Sequence, residues 1–317
     1  MRSKPIINRE STGTRKQILI PLALGAVYLF WGGTYLGMKV AIETLPPFIM
    51  AGLRFLTAGA ILYLWARGAG VGRPTPRQWR GAAAVGALLL VGGNGLVAWA
   101  EQRVPSGIAS LLVAMVPIWM LALGLLDRKG ASKGRWPNAG VVLGMILGLA
   151  GIAVLVGGTG NALRHQGLSP VGIGVLLAAS ISWAGGSLYS RKASLPDSAL
   201  LGTAMQMLVG GGLLLLVALF LGEWPRFHPA AVSARSCLAL GYLILFGSIL
   251  GYNAYIWLLK NAEPAWVSTY AFVNPVVAVF LGWALLGEEL TGRSLVAAIV
   301  IIAAVGMITI FRDVPRK

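Results

Sequence analysis

The chain has 317 residues, 57% hydrophobic and 11% charged, with a formal net charge of +16 and a pI near 10.7. So basic a chain invites a nucleic-acid reading, but so few charged residues leave no polar face on which to build that surface. The apolar residues fall in continuous runs, which excludes an outer-membrane barrel, and the single cysteine, Cys237, excludes an internal disulfide.

A helix rising about 1.5 Å per residue needs about 20 apolar residues to span hydrocarbon, and ten runs are long enough. In chain order they cover 18 to 38, 47 to 66, 80 to 99, 106 to 126, 137 to 157, 170 to 190, 199 to 221, 236 to 258, 265 to 286 and 294 to 311. Basic residues crowd every second gap. With the N-terminus inside, the cytoplasmic set is Arg2, Lys4, Arg9, Arg15, Lys16, Arg67, Arg73, Arg77, Arg80, Arg128, Lys129, Lys133, Arg135, Arg191, Lys192, Lys260, Arg312, Arg316 and Lys317, which is 19 of the 26. Lys39, Arg103, Arg164, Arg226, Arg235 and Arg293 fall outside, and Arg54 falls within a span. This bias predicts an all-α polytopic inner-membrane protein with both termini cytoplasmic, in contact with membrane lipids through its basic loops. The first run is too long for a cleaved signal peptide and continues through Trp31 to Lys39 without a small-residue cleavage site.

The sequence also repeats. Trp31, Gly33 and Lys39 match Trp183, Gly185 and Arg191 at a shift of 152; Gly92, Asn94 and Pro105 match Gly251, Asn253 and Pro264 at 159; Pro117 matches Pro275 at 158. Five spans per half is an odd number, so the second half enters the membrane from the opposite side. The expected organisation is a cytoplasmic tail at 1–17, a five-helix repeat at 18–157, an external linker at 158–169, a second and inverted five-helix repeat at 170–311, and a cytoplasmic tail at 312–317. Inverted repeats suit secondary transporters, because two halves of opposite topology form inward-open and outward-open states of similar energy; duplication for packing alone is the plainer alternative.

The stretches Trp31-Gly-Gly-Thr-Tyr, Met50-Ala-Gly-Leu-Arg-Phe-Leu, Gly92-Gly-Asn-Gly-Leu, Val104-Pro-Ser-Gly-Ile-Ala, Ser180-Ile-Ser-Trp-Ala, Gly241-Tyr-Leu-Ile-Leu-Phe-Gly-Ser, Asn253-Ala-Tyr, Tyr270-Ala-Phe-Val-Asn-Pro-Val-Val-Ala-Val and Gly287-Glu-Glu resemble the EamA branch of the drug/metabolite transporter superfamily, most closely its YedA-type inner-membrane exporters. The resemblance implies a ten-helix basket, a central cavity shared by the two halves, and export of small metabolites or drugs. It departs from the pattern at one place, where Asp127-Arg128-Lys129 stands opposite the Gly287-Glu288 turn.

Spans with almost no ionisable side chains must select a small-molecule solute through aromatic faces, amides and hydroxyls. The expected binding set is Trp31, Tyr35, Arg54, Asn94, Trp99, Trp183, Gln206, Asn253, Tyr270 and Asn274. A buried Asn can instead merely bridge two helices. Pro117 and Pro275 each remove a helix hydrogen bond and free a carbonyl, on Val113 and Ala271, which makes them candidate hinges or static kinks. Arg54, within a span, needs a partner: Glu43, Glu101, Glu288, Glu289, or an anionic group of the solute. Gly140, Gly144 and Gly148 form a small-residue face for close helix packing inside the chain, with a homodimer contact as the lesser reading.

No phosphate-binding Gly-Lys-Ser or Gly-Lys-Thr loop is present, and the only histidines, His165 and His228, fall in outer loops, so no ATP, metal ion or other cofactor is expected. An intramembrane enzyme would need a convergent set of acids, histidines or hydroxyls that the spans do not supply. A passive channel or facilitator needs no titrating group. For coupling to protons the best carboxylate is Glu101, with a solvated loop position as its plainer reading.

Overall fold

The computed structural model describes residues 9–104, 106–126, 137–156, 169–286 and 292–311, and every regular element among them is a helix. The basic stretch from Arg128 to Arg135, Arg164, His165, Gly287-Glu288-Glu289, nearly all of the 158–169 linker and the 312–317 tail lie outside the described residues.

Helix α1 runs Arg9–Gly32 and resumes as Thr34–Ala41, so it starts inside the stretch expected to be a tail. The others are α2 (Pro47–Gly68), α3 (Pro76–Ala100), α4 (Ser106–Val113 and Val116–Leu126), α5 (Ala139–Val156), α6 (Pro170–Ser190), α7 (Ala199–Phe220), α8 (Ala234–Asn261), α9 (Pro264–Val267 and Tyr270–Leu286) and α10 (Gly292–Phe311). Among the described residues six of these, α1 to α3 and α6 to α8, are long and apolar enough to cross a membrane, and α5 and α10 add shorter apolar helices. The chain is a multi-pass membrane protein.

Helix starts are written in the sequence. Thr75 and Gln78 form a reciprocal capping box ahead of α3, with Pro76 in the first turn, where a missing N–H costs nothing. Ser169, Ser198 and Ser233 cap α6, α7 and α8 through their hydroxyls. The start of α2 is different. Pro47 has no N–H, Met50 N–H bonds the Pro46 carbonyl, and Phe48 and Ile49 N–H both bond the buried carboxylate of Glu223, at 3.0 Å each, from the loop after α7. An anion from the second half thus completes the first turn of a helix in the first.

Each helix finds its main partner in the other half. Helix α2 packs on α7 at backbone distance: a Cβ on Gly59 would lie 2.9 Å from Leu208 N, and one on Gly211 2.8 Å from Leu56 N. Helix α5 packs on α10, where Gly144 faces Ile308 and the Ala304 carbonyl, and Gly151 faces Ile301. The expected glycine face is therefore taken up inside the chain, with Gly140 against Phe311 and Gly148 against Phe272 of α9. Helix α6 lies along α3, and α1 along α8.

The two halves run in opposite senses. The loop after α1 meets the end of the loop after α7, where Ser233 N–H bonds Thr44 Oγ1 at 3.2 Å, and the start of α8, where Arg235 faces Glu43 at 3.9 Å. At the other end the loops after α2, α6 and α8 converge: Ala66, Ala82, Leu201 and Met205 share one apolar cluster, Arg191 bonds the Leu259 and Ala262 carbonyls, and Lys260 bonds Pro196. First helices of the two halves thus finish at opposite ends of the molecule.

Two segments depart from α-helical winding. Ala87–Gly95 in α3 and Leu243–Tyr252 in α8 are π-helical, and the two segments overlap under the 159-residue shift. Such segments leave carbonyls outside the usual i→i+4 ladder and often mark functional sites.

Candidate solute site between the two halves

Each π segment accepts a hydrogen bond from the first helix of the other half. Trp31 in α1 donates its indole N–H to the Gly247 carbonyl at 2.9 Å, and Ser182 in α6 donates to the Leu88 carbonyl at 2.8 Å. Leu88 and Gly247 are themselves related by 159 residues, so the bracing is pseudo-symmetric. Glycines let the rings in. A Cβ on Gly251 would lie 2.6 Å from Trp31 Nε1, and one on Gly93 2.5 Å from Trp183 Cε3.

This bracing brings Trp31 and Trp183 edge to face, with centroids 5.5 Å apart, over a cavity of about 60 Å³. Helix α1 contributes Trp31, Thr34 and Tyr35; α2, Arg54; α3, Asn94; α4, Val113; α6, Ser180 and Trp183; and α9, Tyr270 and Asn274. Tyr270 meets Trp31 edge-on at 5.1 Å. Trp183 is held by a closed ring of bonds: its N–H donates to Tyr255 Oη at 3.0 Å, Tyr255 donates to Ser187 Oγ at 2.6 Å, and Ser187 donates back to the Trp183 carbonyl at 2.6 Å. Every donor in the ring has an acceptor, so the indole is fixed in orientation.

Arg54 is 3% exposed and is the only charged side chain lining the cavity among the described residues. Its Nε donates to Ser248 Oγ at 2.7 Å and Nη1 to Asn94 Oδ1 at 3.3 Å, and its guanidinium lies 4.7 Å from the Phe55 ring centroid. Neither described carboxylate among its expected partners reaches it. Glu43 faces Arg235, and both Glu101 oxygens are without a hydrogen-bond partner.

Trp99, Gln206 and Asn253 lie elsewhere. Trp99 stacks under the Arg103 guanidinium at 3.9 Å and lines a second cleft of about 380 Å³ with Glu43, Glu223 and Arg226 at the α1–α2 end. Gln206, fully buried, accepts from Tyr252 Oη at 2.9 Å, and the Asn253 Oδ1 is buried without a partner. The halves diverge here because Gln206 stands where the first half has Arg54, so no cation draws Asn253 inward as Arg54 draws Asn94.

The helix interruptions also differ between halves. In α4 the break is at Ala114-Met115, just before Pro117, and Val113 lines the cavity. In α9 the chain stays helical through Pro275, and the break comes earlier, at Ser268-Thr269. There the Thr269 hydroxyl bonds the Trp266 carbonyl at 2.6 Å and meets Tyr28 Oη at 2.5 Å, so a side chain competes with the helix ladder.

Glu101, one residue beyond α3, is fully buried, and Lys39 reaches only its backbone carbonyl, at 3.4 Å. Burial pushes its carboxyl up to about 8, against the opposing pull of the Lys39 ammonium. A carboxyl raised in the folded state stabilises the fold fully below its unfolded value, near 4.5, and that stability is lost as pH rises toward 8. Thermal melts of the purified protein from pH 5 to pH 8.5 should show this decline, and Glu101→Gln should flatten it; an equal slope in the variant removes Glu101 as the cause.

A model of the EamA-like transporter family matches residues 18–157 and 170–310. The chain belongs to the EamA-like transporter family. Among EamA-like relatives, the uncharacterized inner membrane transporter YedA of Escherichia coli K12 is 42% identical over 295 residues, covering 92% of each chain. A probable amino-acid metabolite efflux pump of the same organism is 25% identical over 87% of this chain and 89% of its own length. A crystal structure at 20% identity superposes with a TM-score of 0.73, covering 93% of this chain and 99% of that one, which supports the fold alone. The protein is therefore a membrane transporter of the EamA-like kind.

Tyr255, Ser187 and Ser248, which orient Trp183 and Arg54, are absent from the set expected from sequence. Tyr255 was within reach, because it closes the Asn253-Ala-Tyr motif, but π winding upstream shifts which face of α8 it occupies.

Proposed function

We propose that this protein is a secondary transporter that exports small metabolites, such as amino acids or amphipathic drugs, across the inner membrane by alternating access. In this reading ten helices cross the membrane as two inverted five-helix repeats, with both termini cytoplasmic. The positive-inside bias supports that orientation, and the end shared by the α2, α6 and α8 loops carries Arg67, Arg73, Arg191, Lys192 and Lys260.

One observation carries the proposal: Trp31 and Trp183, one from each half, meet over one cavity that both halves line. The cavity is lined from both halves, so separating the halves would widen it for a solute. Halves of opposite sense can open that cavity toward either side. The solute leaves chemically unchanged, held by ring faces and amides.

Purified protein in lipid vesicles preloaded with unlabelled amino acid should accumulate the labelled form by counterflow, saturably, and Trp183→Ala should reduce the rate at least tenfold. Flux that grows linearly with concentration, without counterflow, would replace the transporter reading with a channel.

A further inference from the structure

We propose that the central cavity selects solutes carrying a carboxylate, or a similar small oxyanion, on an apolar or aromatic body, with Arg54 as the group that receives the charge. This deepens the transport reading above and rests on it. Arg54 is almost wholly buried, yet among the described residues no carboxylate lies within 4 Å of its guanidinium, and its hydrogen-bond acceptors, Ser248 and Asn94, are both neutral. Two of its five N–H donors are used in those bonds. The cavity therefore carries an uncompensated positive charge in a low-dielectric setting, which attracts an anion and repels a cation.

Orientation strengthens the assignment. Ser248 and Asn94 fix Nε and Nη1, so the planar fork is held rather than free to swing, and a fixed fork matches a carboxylate in two parallel bonds. Beside it the edge-to-face pair of Trp31 and Trp183, with Tyr270, offers ring surface for the body of the solute. The Asn274 Oδ1, buried, on the cavity wall and without a partner, supplies an acceptor suited to an N–H of the same molecule. Cationic amphiphiles, by the same electrostatics, are excluded.

Binding to the purified protein, measured by calorimetry, tests this with three probes of one shape: phenylalanine, 3-phenylpropionate and phenylalanine methyl ester. The two carboxylates should bind at least tenfold more tightly than the ester. Arg54→Gln should bring the three within twofold of one another, and Arg54→Lys should fall between. Ser248→Ala, which releases Nε without removing the charge, should narrow the ratio while the protein stays monodisperse, so the proposal is testable even if Arg54→Gln does not fold. Equal binding of acid and ester by the unaltered protein, or a ratio that survives Arg54→Gln, overturns the carboxylate assignment. If that happens while Trp183→Ala still weakens all three probes, the shared cavity stands; if Trp183→Ala changes none of them, it is the cavity reading that fails.

Discussion

Gly251→Ala and Gly93→Ala should each reduce transport at least tenfold, although each adds only a methyl group. At Gly251 the new carbon would sit 2.6 Å from Trp31 Nε1 and 2.8 Å from Cδ1; at Gly93 it would sit 2.5 Å from Trp183 Cε3. Neither gap holds a carbon atom, so the ring moves. For Trp31 that movement breaks the bond to the Gly247 carbonyl; for Trp183 it strains the ring of bonds through Tyr255 and Ser187. Overpacking of this kind costs about 1–3 kcal/mol in stability, and displaced cavity walls add a functional loss that stability alone does not explain. Gly212→Ala is the control, since a Cβ there meets nothing within 4 Å. Counterflow rates and melting temperatures of the three variants check the expectation. Normal transport by both cavity variants would mean that the indoles can shift without consequence.

Glu223→Ala should be the most destabilising change outside the spans. The side chain is 6% exposed and accepts from Phe48 and Ile49 N–H, the two first-turn donors of α2 without another acceptor. Removing it strands both, and charge-assisted bonds of this type are worth about 1.5–3 kcal/mol. A fall of roughly 5 °C in melting temperature follows for a chain of this size. Glu223→Gln keeps an acceptor but not the charge that suits a helix N-terminus, and should recover part of the loss. Melting curves in one detergent for the parent and both variants decide it; identical curves would show that water satisfies the helix start.

Much of this was legible in the sequence, for physical reasons that differ by residue. Trp31 and Trp183 could be paired because large aromatic side chains deep in an apolar run stand out, and the repeat gave them one shift. Arg54 stood out because a cation within a span is costly. Asn253 was placed by the same symmetry, and there symmetry misleads: the Arg54-to-Gln206 divergence gives Asn94 a cation to bond and leaves Asn253 Oδ1 without one. The π segments carry no recognisable residue signature, so the face of α8 that presents Tyr255 could not be read from a 3.6-residue period. Pro275 marks α9, where the chain stays helical through it, and the break falls at Ser268-Thr269, where the Thr269 hydroxyl meets the Trp266 carbonyl and Tyr28, contacts that a one-dimensional pattern does not display.

The crosswise pairing of helices bears on how the chain is made. Because α1 lies along α8, α3 along α6 and α2 along α7, the first half emerges from the ribosome with its principal faces still turned to lipid. Inserting the helices and assembling them are then separate events, the second of which waits for residues more than 150 positions downstream. A chain truncated after α5 would leave glycine-lined seams open to lipid, and the α5 seam closes only when α10, the last helix, arrives.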